Sequence, residues 1–381
     1  MFPTGCAAIA GSCKRVQIVL TLALTFCVVQ GFIEEKFEGD PCTLESGAEG
    51  VCQRAESCSW LGQAVRKHQT IVHCGFDREV PIVCCAKIGS TGPSELAIKA
   101  CKNIEGVYSS LAYHILGGIE AKDGEIPFIA ALGFPRDNAG PNESPYVWRC
   151  GSSLITPSFL LTAAHCVQHE PPKVARMGTL NLLASERTDA IQDRSVKHII
   201  PHPSYDRPKR YNDIALIEVE SSFQFESTVK PVCLTTSLAD RDVNEHLRAA
   251  GWGMTELRAQ SPEALLVTNL TTVSVGKCRE QYDALKQVKR RALPNGIRFS
   301  QYCAVGVSTS EIDRSDTCEG DSGGPLYYIE NSDGEQKYFL LGVISFGLNC
   351  GSSLPSVYTR VAFYLDWIAT HVWPEGVVSK R

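Results

Sequence analysis

An excess of basic residues is missing from this sequence. Its 37 Lys and Arg residues are outnumbered by 42 Asp and Glu, which gives a formal net charge of −5. Nucleic-acid-binding domains normally carry a basic excess, so the composition excludes that class. Low-complexity and collagen-like patterns are also missing. Hydrophobic residues make up 44% of the 381 residues, which excludes a disordered chain and suffices for about two folded domains.

Long apolar runs are missing after the N-terminus, since none approaches the roughly 20 residues of a membrane span. The N-terminal run, residues 16–29, follows Lys14 and Arg15. Val29 and Gly31 then suit the small-residue positions before a cleavage site. This pattern predicts a secretory signal peptide over residues 1–31. The alternative is a membrane anchor, for which the run is short.

Cysteines are abundant, at 17 in the chain, which is too many for a typical cytosolic enzyme. Removal of residues 1–31 takes away three of them and leaves an even number, as expected if all pair. Six lie within residues 42–85: Cys42, Cys52, Cys58, Cys74, Cys84 and Cys85. Few large apolar residues accompany them, so residues 32–85 are predicted to be a small module held by disulfides. A zinc site is the alternative, but the C-x2-C spacings that it needs are missing.

The remaining chain divides into a linker and a second domain. Residues 86–114 are predicted to be a linker, because Gly, Ser, Thr and Pro cluster at 89–94. Residues 115–381 then show short apolar runs separated by turn residues, which predict an all-β domain of sandwich or barrel type. The predicted strands are 126–132, 153–162, 213–219 and 340–346. Apolar residues at helical spacing predict one helix over 364–371.

Three motifs point to nucleophilic catalysis. A serine lies between glycines in GDSGGP, residues 320–325, and a serine hydroxyl needs an adjacent base to act as a nucleophile. A histidine ends the apolar run LTAAHC, residues 161–166, and an aspartate opens NDIAL, residues 212–216. GDSGGP alone could be a tight turn. The order His, Asp, Ser is one of the known orders for a catalytic triad.

From residue 115 to about 374 the sequence resembles the trypsin-like serine proteases of chymotrypsin fold. TAAHC, DIAL and GDSGGP are intact, with further matches at 115–118 (ILGG), 250–253 (AGWG) and 357–360 (VYTR). The resemblance implies two six-stranded antiparallel β-barrels with the active site between them. It makes Ser322 the nucleophile, His165 the general base and Asp213 the group that orients the imidazole. The amides of Gly320 and Ser322 would form the oxyanion hole.

The same resemblance implies a substrate pocket. Asp316, six residues before Ser322, is expected at the base of the primary pocket, so that cleavage follows Arg or Lys. Ser345 and Gly347 are expected in the segment that pairs with the substrate backbone. Ser356 replaces a glycine of the pocket wall and should narrow the pocket. Glu319, at the rim, should disfavour acidic residues next to the scissile bond.

Disulfide pairing is also implied by resemblance. The protease domain implies Cys150–Cys166, Cys278–Cys303, Cys318–Cys350 and Cys101–Cys233. The clustered six resemble the clip domain of arthropod serine proteases, which implies Cys42–Cys84, Cys52–Cys74 and Cys58–Cys85. Clip-domain proteases are secreted zymogens of haemolymph cascades in melanisation, Toll-ligand processing or clotting. The resemblance therefore implies an upstream activating protease, a downstream zymogen substrate and a serpin inhibitor.

Activation in this family implies cleavage before Ile115, whose new α-ammonium group would pair with Asp321. The preceding residue is His114, where many relatives carry Arg or Lys. Histidine is shorter and mostly uncharged at neutral pH, so a pocket based on Asp316 should accept it poorly. We expect slow self-activation and an upstream protease of different specificity. A subgroup of clip-domain proteases, the persephone and snake type, shares this non-basic residue.

Other features lead to weaker expectations. Asn142 and Asn269 begin glycosylation sequons. Thr179 stands where calcium-binding relatives have a carboxylate, so no calcium is expected there, and no other metal or cofactor is predicted. A digestive or developmental trypsin-like protease is the second enzyme hypothesis. The third is a catalytically weak or silent homologue that acts as a binding or cofactor protein.

Overall fold

The structure is a computed structural model of the chain. It describes residues 36–45, 47, 49–55, 58, 70–77, 80–86, 91–104, 119–137, 140, 143–182, 190–253, 264–285, 288, 291–310, 313–314, 320–332, 335–347 and 354–375. The predicted signal peptide, 1–31, lies outside these residues.

The N-terminal module is a small antiparallel sheet with strand order β1-β2-β4-β3. Its strands are β1 (Pro41–Thr43), β2 (Glu49–Arg54), β3 (His73–Asp77) and β4 (Val80–Ala86). Three disulfides, Cys42–Cys84, Cys52–Cys74 and Cys58–Cys85, join the sheet in the predicted pattern. The buried side chains of this module are mainly these cysteines, with Leu44, Val51, Ile82 and Val83. Disulfides therefore take the place of a large apolar core, as predicted.

The first half of the larger domain is a closed barrel. A short strand, β5 (Ile119–Glu120), precedes it. The barrel strands are β6 (Ile129–Pro135), β7 (Tyr146–Leu154), β8 (Phe159–Thr162), β9 (Val174–Met177), β10 (Gln192–Pro201) and β11 (Ala215–Val219). They follow one another in the order β10-β11-β8-β7-β6-β9, and the ring closes between β9 and β10. Every pairing in the ring is antiparallel.

The second half forms another six-stranded ring. Its strands are β13 (Leu247–Gly251), β14 (Leu266–Val273), β15 (Gln301–Gly306), β18 (Pro325–Ser332), β19 (Glu335–Phe346) and β20 (Ser356–Arg360), with β12 (Cys233–Leu234), β16 (Ser308–Ser310) and β17 (Asp313–Arg314) outside the ring. Pairing of β19 with β20 closes it. The predicted pair of six-stranded antiparallel barrels is therefore confirmed.

One predicted strand is two strands in the structure. Residues 153–162 were expected to form a single strand, but β7 ends at Leu154 and β8 begins at Phe159. Between them the amide of Ile155 donates to the carbonyl of Phe159 at 2.9 Å, and the hydroxyl of Thr156 accepts from the amide of Phe159 at 3.1 Å. Thr156, Pro157 and Ser158 are residues that favour turns, and this local preference outweighs the apolar run.

The predicted linker contains a helix that the sequence reading missed. Helix α1 spans Thr91–Ile104 and packs against α3 (Leu365–Val372), the helix that was predicted at the C-terminus. Pro93 is tolerated because the first turn of a helix needs no amide donor. Ala97, Cys101 and Ile104 recur at helical spacing and are buried. The Cys101–Cys233 disulfide fixes the helix to β12.

The helix between these two in the chain, α2 (Val275–Asp283), begins after Ser274, whose hydroxyl accepts a hydrogen bond from the amide of Lys277. Its Cys278 is joined to Cys303 of β15, as predicted.

Within the described residues, no helix combines the length and the apolar character that crossing a bilayer requires.

Candidate active site

Strand pairing brings His165 and Asp213 together. His165 lies in a 3₁₀ turn, Ala164–Cys166, directly after β8, and Asp213 lies directly before β11. These strands are antiparallel partners, with Ala215 opposite Thr162. The two side chains meet with 2.7 Å between His165 Nδ1 and Asp213 Oδ2. The amide of His165 also donates to Asp213 Oδ1 at 2.9 Å, so both carboxylate oxygens are held by the same residue.

Asp213 is fully buried and is held ionised by its donors. A third hydrogen bond comes from the hydroxyl of Ser345, 2.5 Å from Oδ2. Burial alone would raise the pKa of Asp213, but the charge of His165 and the hydrogen bonds from His165 and Ser345 outweigh it and lower the pKa below its ordinary value. A carboxylate in this position fixes the tautomer in which His165 Nδ1 carries the proton, leaving Nε2 free to accept one.

Sequence reasoning missed this role of Ser345, which it placed only in a substrate-pairing segment. Ser345 is 3% exposed, near the end of the otherwise apolar run of β19. A polar residue in such a run is a signal that could have found it, because buried hydroxyls need partners.

Ser322 is held in a glycine-bounded turn beside β7 and β8. Its carbonyl accepts from the amide of Gly151 at 2.8 Å. Gly323 has φ +78°, and a Cβ there would lie 2.2 Å from the Thr162 hydroxyl, so only glycine fits. Cys166 Sγ, of the Cys150–Cys166 disulfide, lies 3.6 Å from the Ser322 carbonyl oxygen and 3.8 Å from His165 Nε2. The serine and histidine segments therefore adjoin one another.

Gly320 begins this turn with φ +101°, and a Cβ there would lie 2.8 Å from Gly253 Cα. Among the described residues, the amides of Gly320 and Ser322 have no acceptor. An oxyanion hole needs amide donors that are free to bind the oxyanion, and the assignment of Gly320 and Ser322 to it stays a prediction.

The Asp321 side chain points away from this turn, toward the AGWG motif. Its Oδ1 accepts from the amide of Gly253 at 2.7 Å. A Cβ at Gly251 would lie 2.0 Å from the same oxygen, and one at Gly253 would lie 2.6 Å from it. The glycines of AGWG are therefore needed because the Asp321 carboxylate packs directly on their backbone.

Two of the predicted pocket residues are neighbours. Strand pairing places Val357 opposite Phe346. Ser356 and Gly347 are the next residues at the same end of the two strands. A Cβ at Gly347 would lie 3.1 Å from the Ser356 hydroxyl oxygen. The Ser356 side chain thus occupies space beside the backbone of Gly347. Ser356 is only 2% exposed.

Several predicted site residues lie outside the described part of the chain. These are Asp316, Glu319, the Cys318–Cys350 pair, His114, Ile115 and Asn142. Asn269 is described: it lies in β14, opposite Arg248, and is partly buried. Its glycosylation stays a prediction.

Cysteine and histidine atoms converge at two places, Cys42 with Cys52 and Cys74, and Cys150 with His165 and Cys166. Every one of these cysteines is in a disulfide. A disulfide sulfur is not the thiolate that binds metals, so these groups do not form thiolate metal sites.

An ionised carboxylate orients an imidazole, and a serine flanked by glycines lies beside them between the two β-barrels. This arrangement is typical of the serine proteases of chymotrypsin fold. The family description "Trypsin" matches residues 115–368. CLIP domain-containing serine protease C9 of Anopheles gambiae is 33% identical over 355 residues, which are 92% of this chain and 90% of that protein. Phenoloxidase-activating factor 3 of Holotrichia diomphalia is 29% identical, over 92% of this chain and 99% of its own length.

A solved structure agrees with these relatives. The Drosophila Grass clip serine protease of the Toll pathway superimposes with a TM-score of 0.58 at 25% identity, covering 87% of this chain and 97% of that chain. This chain belongs to the clip-domain serine proteases of the trypsin family.

Proposed function

We propose that this protein is a secreted serine endopeptidase zymogen of an arthropod haemolymph cascade. In this proposal Ser322 attacks the scissile carbonyl and His165 accepts its proton at Nε2, then returns it to the leaving amine. Asp213 stabilises the imidazolium that forms between these steps, and the amides of Gly320 and Ser322 stabilise the oxyanion. The observation that carries the proposal is the 2.7 Å contact between His165 Nδ1 and the buried, three-fold hydrogen-bonded Asp213 carboxylate.

The substrate in this proposal is a protein, cut after Arg or Lys. The carboxylate of Asp316 would receive the cationic side chain in the primary pocket. Ser356 would reduce the width of that pocket, because its hydroxyl packs at Gly347. The downstream substrate would be another protease zymogen, and a serpin would end the activity. Melanisation and the Toll pathway are the two settings that the names of the relatives support.

Activation would follow cleavage between His114 and Ile115, with the new ammonium group drawn to Asp321. Asp321 Oδ1 accepts from the amide of Gly253 at 2.7 Å. The partly buried carboxylate beside the AGWG backbone is a suitable acceptor for a buried cation. Because His114 is not basic, the activator would be a protease of different specificity.

A matched pair of variants tests the proposal. A His114→Arg zymogen treated with trypsin should acquire an Ile115 N-terminus and hydrolyse Arg and Lys substrates. The same zymogen that also carries Ser322→Ala should be cleaved identically and turn over several orders of magnitude more slowly. Correct cleavage with equal turnover by both variants would remove Ser322 as the nucleophile. Correct cleavage with no turnover by either would instead support the silent homologue.

A further inference from the structure

The first residues of the clip module contact the protease domain through two ion pairs. Asp40 Oδ1 lies 3.1 Å from Arg279 Nη2, and Glu38 Oε2 lies 3.3 Å from Arg298 Nη1. Arg298 is only 12% exposed and Asp40 only 14%. Charges withdrawn from water to this extent need partners, so the two ion pairs are defined contacts between the clip module and the protease domain.

The clip side of this contact is anchored in the clip sheet. The carbonyl of Asp40 accepts from the amide of Cys52, and the amide of Gly39 donates to the carbonyl of Cys52 at 2.6 Å. Gly39 has φ +96°, and a Cβ there would lie 3.3 Å from Phe299 Cβ. Glu38 also pairs with Arg54 at 3.5 Å, so it joins a clip arginine to a protease arginine.

The protease side of the contact leads to the loop that carries Asp213. The guanidinium of Arg298 lies 4.1 Å from the centre of the Tyr211 ring. Tyr211 is 5% exposed, and its hydroxyl donates to the carbonyl of Gly296 at 2.9 Å and accepts from the amide of Asn295 at 3.0 Å. Arg279 Nε donates to the carbonyl of Ile297 at 2.8 Å. Both arginines therefore hold the segment that fixes Tyr211.

Tyr211 is two residues before Asp213, and the residue between them is conformationally demanding. Asn212 has φ +55°, which a residue with a side chain adopts rarely. The side chain of Asn212 donates from Nδ2 to the carbonyl of Ser204 at 3.0 Å, and its Oδ1 accepts from the Tyr364 hydroxyl at 2.9 Å. The position of Asp213 thus depends on how Tyr211 and Asn212, the two residues before it, are held.

We propose that Glu38 and Asp40 of the clip module are positioning residues for the catalytic centre. They act through Arg298 and Arg279, and then through Tyr211, on the Asp213 loop. This inference rests on the proposed protease function. Without the two carboxylates, Arg279 and Arg298 lose their acidic partners and turn toward water, which loosens the segment that holds Tyr211. A misplaced Asp213 orients His165 less well, and this affects turnover more than substrate binding.

The test uses the full chain, activated as a two-chain enzyme, with a double variant Glu38→Gln and Asp40→Asn. A small peptide substrate is chosen because it does not reach the clip module. We expect kcat to fall about fivefold while KM changes less than about twofold, the size of effect typical of residues coupled through a shared network. Glu45→Gln is the matched control, since Glu45 is an exposed carboxylate of the same module, and should leave kcat unchanged.

Two further measurements separate positioning from simple stabilisation. Hydrogen exchange of the peptides covering 205–214 and 292–298 should be faster in the double variant, and that of Ile129–Pro135 should not change. A Tyr211→Leu background removes both the ring that Arg298 contacts and the hydroxyl. In that background Glu38→Gln should lower kcat no further, because the route is already interrupted. Additive losses, or unchanged kcat and exchange in the double variant, would overturn the proposal.

Exchange is measured equally well on a protein that does not turn over. An inactive parent enzyme therefore refutes the proposed function, while exchange still decides whether the clip segment acts on the Asp213 loop. If the double variant is not secreted, the single variants Glu38→Gln and Asp40→Asn give the same comparison.

Discussion

Replacement of Ser345 by alanine tests how strongly the buried carboxylate depends on its donors. The variant deletes the 2.5 Å hydrogen bond from the Ser345 hydroxyl to Asp213 Oδ2, and no water replaces it easily because Ser345 is only 3% exposed. A hydrogen bond to an ionised group contributes about 2 kcal/mol. For a domain of this size, that loss lowers the unfolding midpoint by about 4–8 °C.

Thr359→Val provides a control, because it also removes a hydrogen bond to Asp213. The Thr359 hydroxyl donates to the backbone carbonyl of Asp213 at 2.7 Å and is buried to a similar extent, at 2% exposed. Its acceptor is neutral, so the loss should be about 1 kcal/mol, half of that for Ser345→Ala. The comparison isolates the charge of the acceptor, because both donors are buried hydroxyls and both acceptor atoms belong to Asp213.

The assay is the apparent thermal midpoint at one fixed heating rate, with every variant carrying Ser322→Ala so that self-digestion does not distort the result. In an Asp213→Asn background the acceptor is neutral, and the extra effect of Ser345→Ala over Thr359→Val should vanish. Because the pKa of Asp213 is lowered, the extra effect should be undiminished at pH 5. Equal effects of the two variants, or an effect that survives Asp213→Asn, would refute the reasoning.

Three further predictions concern other parts of the molecule. Ser356→Gly should raise kcat/KM for Arg relative to Lys substrates, because it removes the hydroxyl beside Gly347; paired peptide substrates measure this. Burial, and then the charge of His371, lower the pKa of His202 to about 4, so the fold keeps this ring neutral and its contribution to stability is lost as the pH falls from 6.5 toward 4. His202→Gln should reduce that loss by about 1–2 kcal/mol, a value discounted for partial exposure, as measured by denaturant unfolding at pH 7 and 4.5. The Cys101–Cys233 disulfide should keep the cleaved enzyme as one species in electrophoresis without reductant, and Cys101→Ser with Cys233→Ser should release the light chain under denaturing conditions.

The pairing of His165 with Asp213 was expected from the family motifs, and the structure gives its physical reason: each residue adjoins a short apolar strand, and the two strands are barrel neighbours. The six disulfides of the described part of the chain follow the pairing that the resemblance to trypsin-like and clip-domain proteases implies. Helix α1 was missed because Gly92 and Pro93 favour coil, although the spacing of Ala97, Cys101 and Ile104 carried a helical signal.

Long-range contacts were not predictable in this way. The Ser345 hydroxyl reaches Asp213 across 132 residues of sequence, and Glu38 reaches Arg298 across 260. Neither separation leaves a local pattern, because each depends on how the barrels and the clip sheet pack in three dimensions. In the sequence alone, Ser345 looks like any other serine and Glu38 like any other surface carboxylate, because their partners lie far away along the chain.

Helix α1 also limits how far the clip module can move from the protease domain. The last strand of that module ends at Ala86 and the helix begins at Thr91. Four residues lie between them, and the five steps from Ala86 to Thr91 cover at most about 18 Å at full extension. The helix is bonded to the protease through Cys101, so this short tether survives activation. A partner that touches both the clip sheet and the catalytic cleft meets its second contact at a high effective concentration, and its dissociation slows without any gain in the strength of either contact.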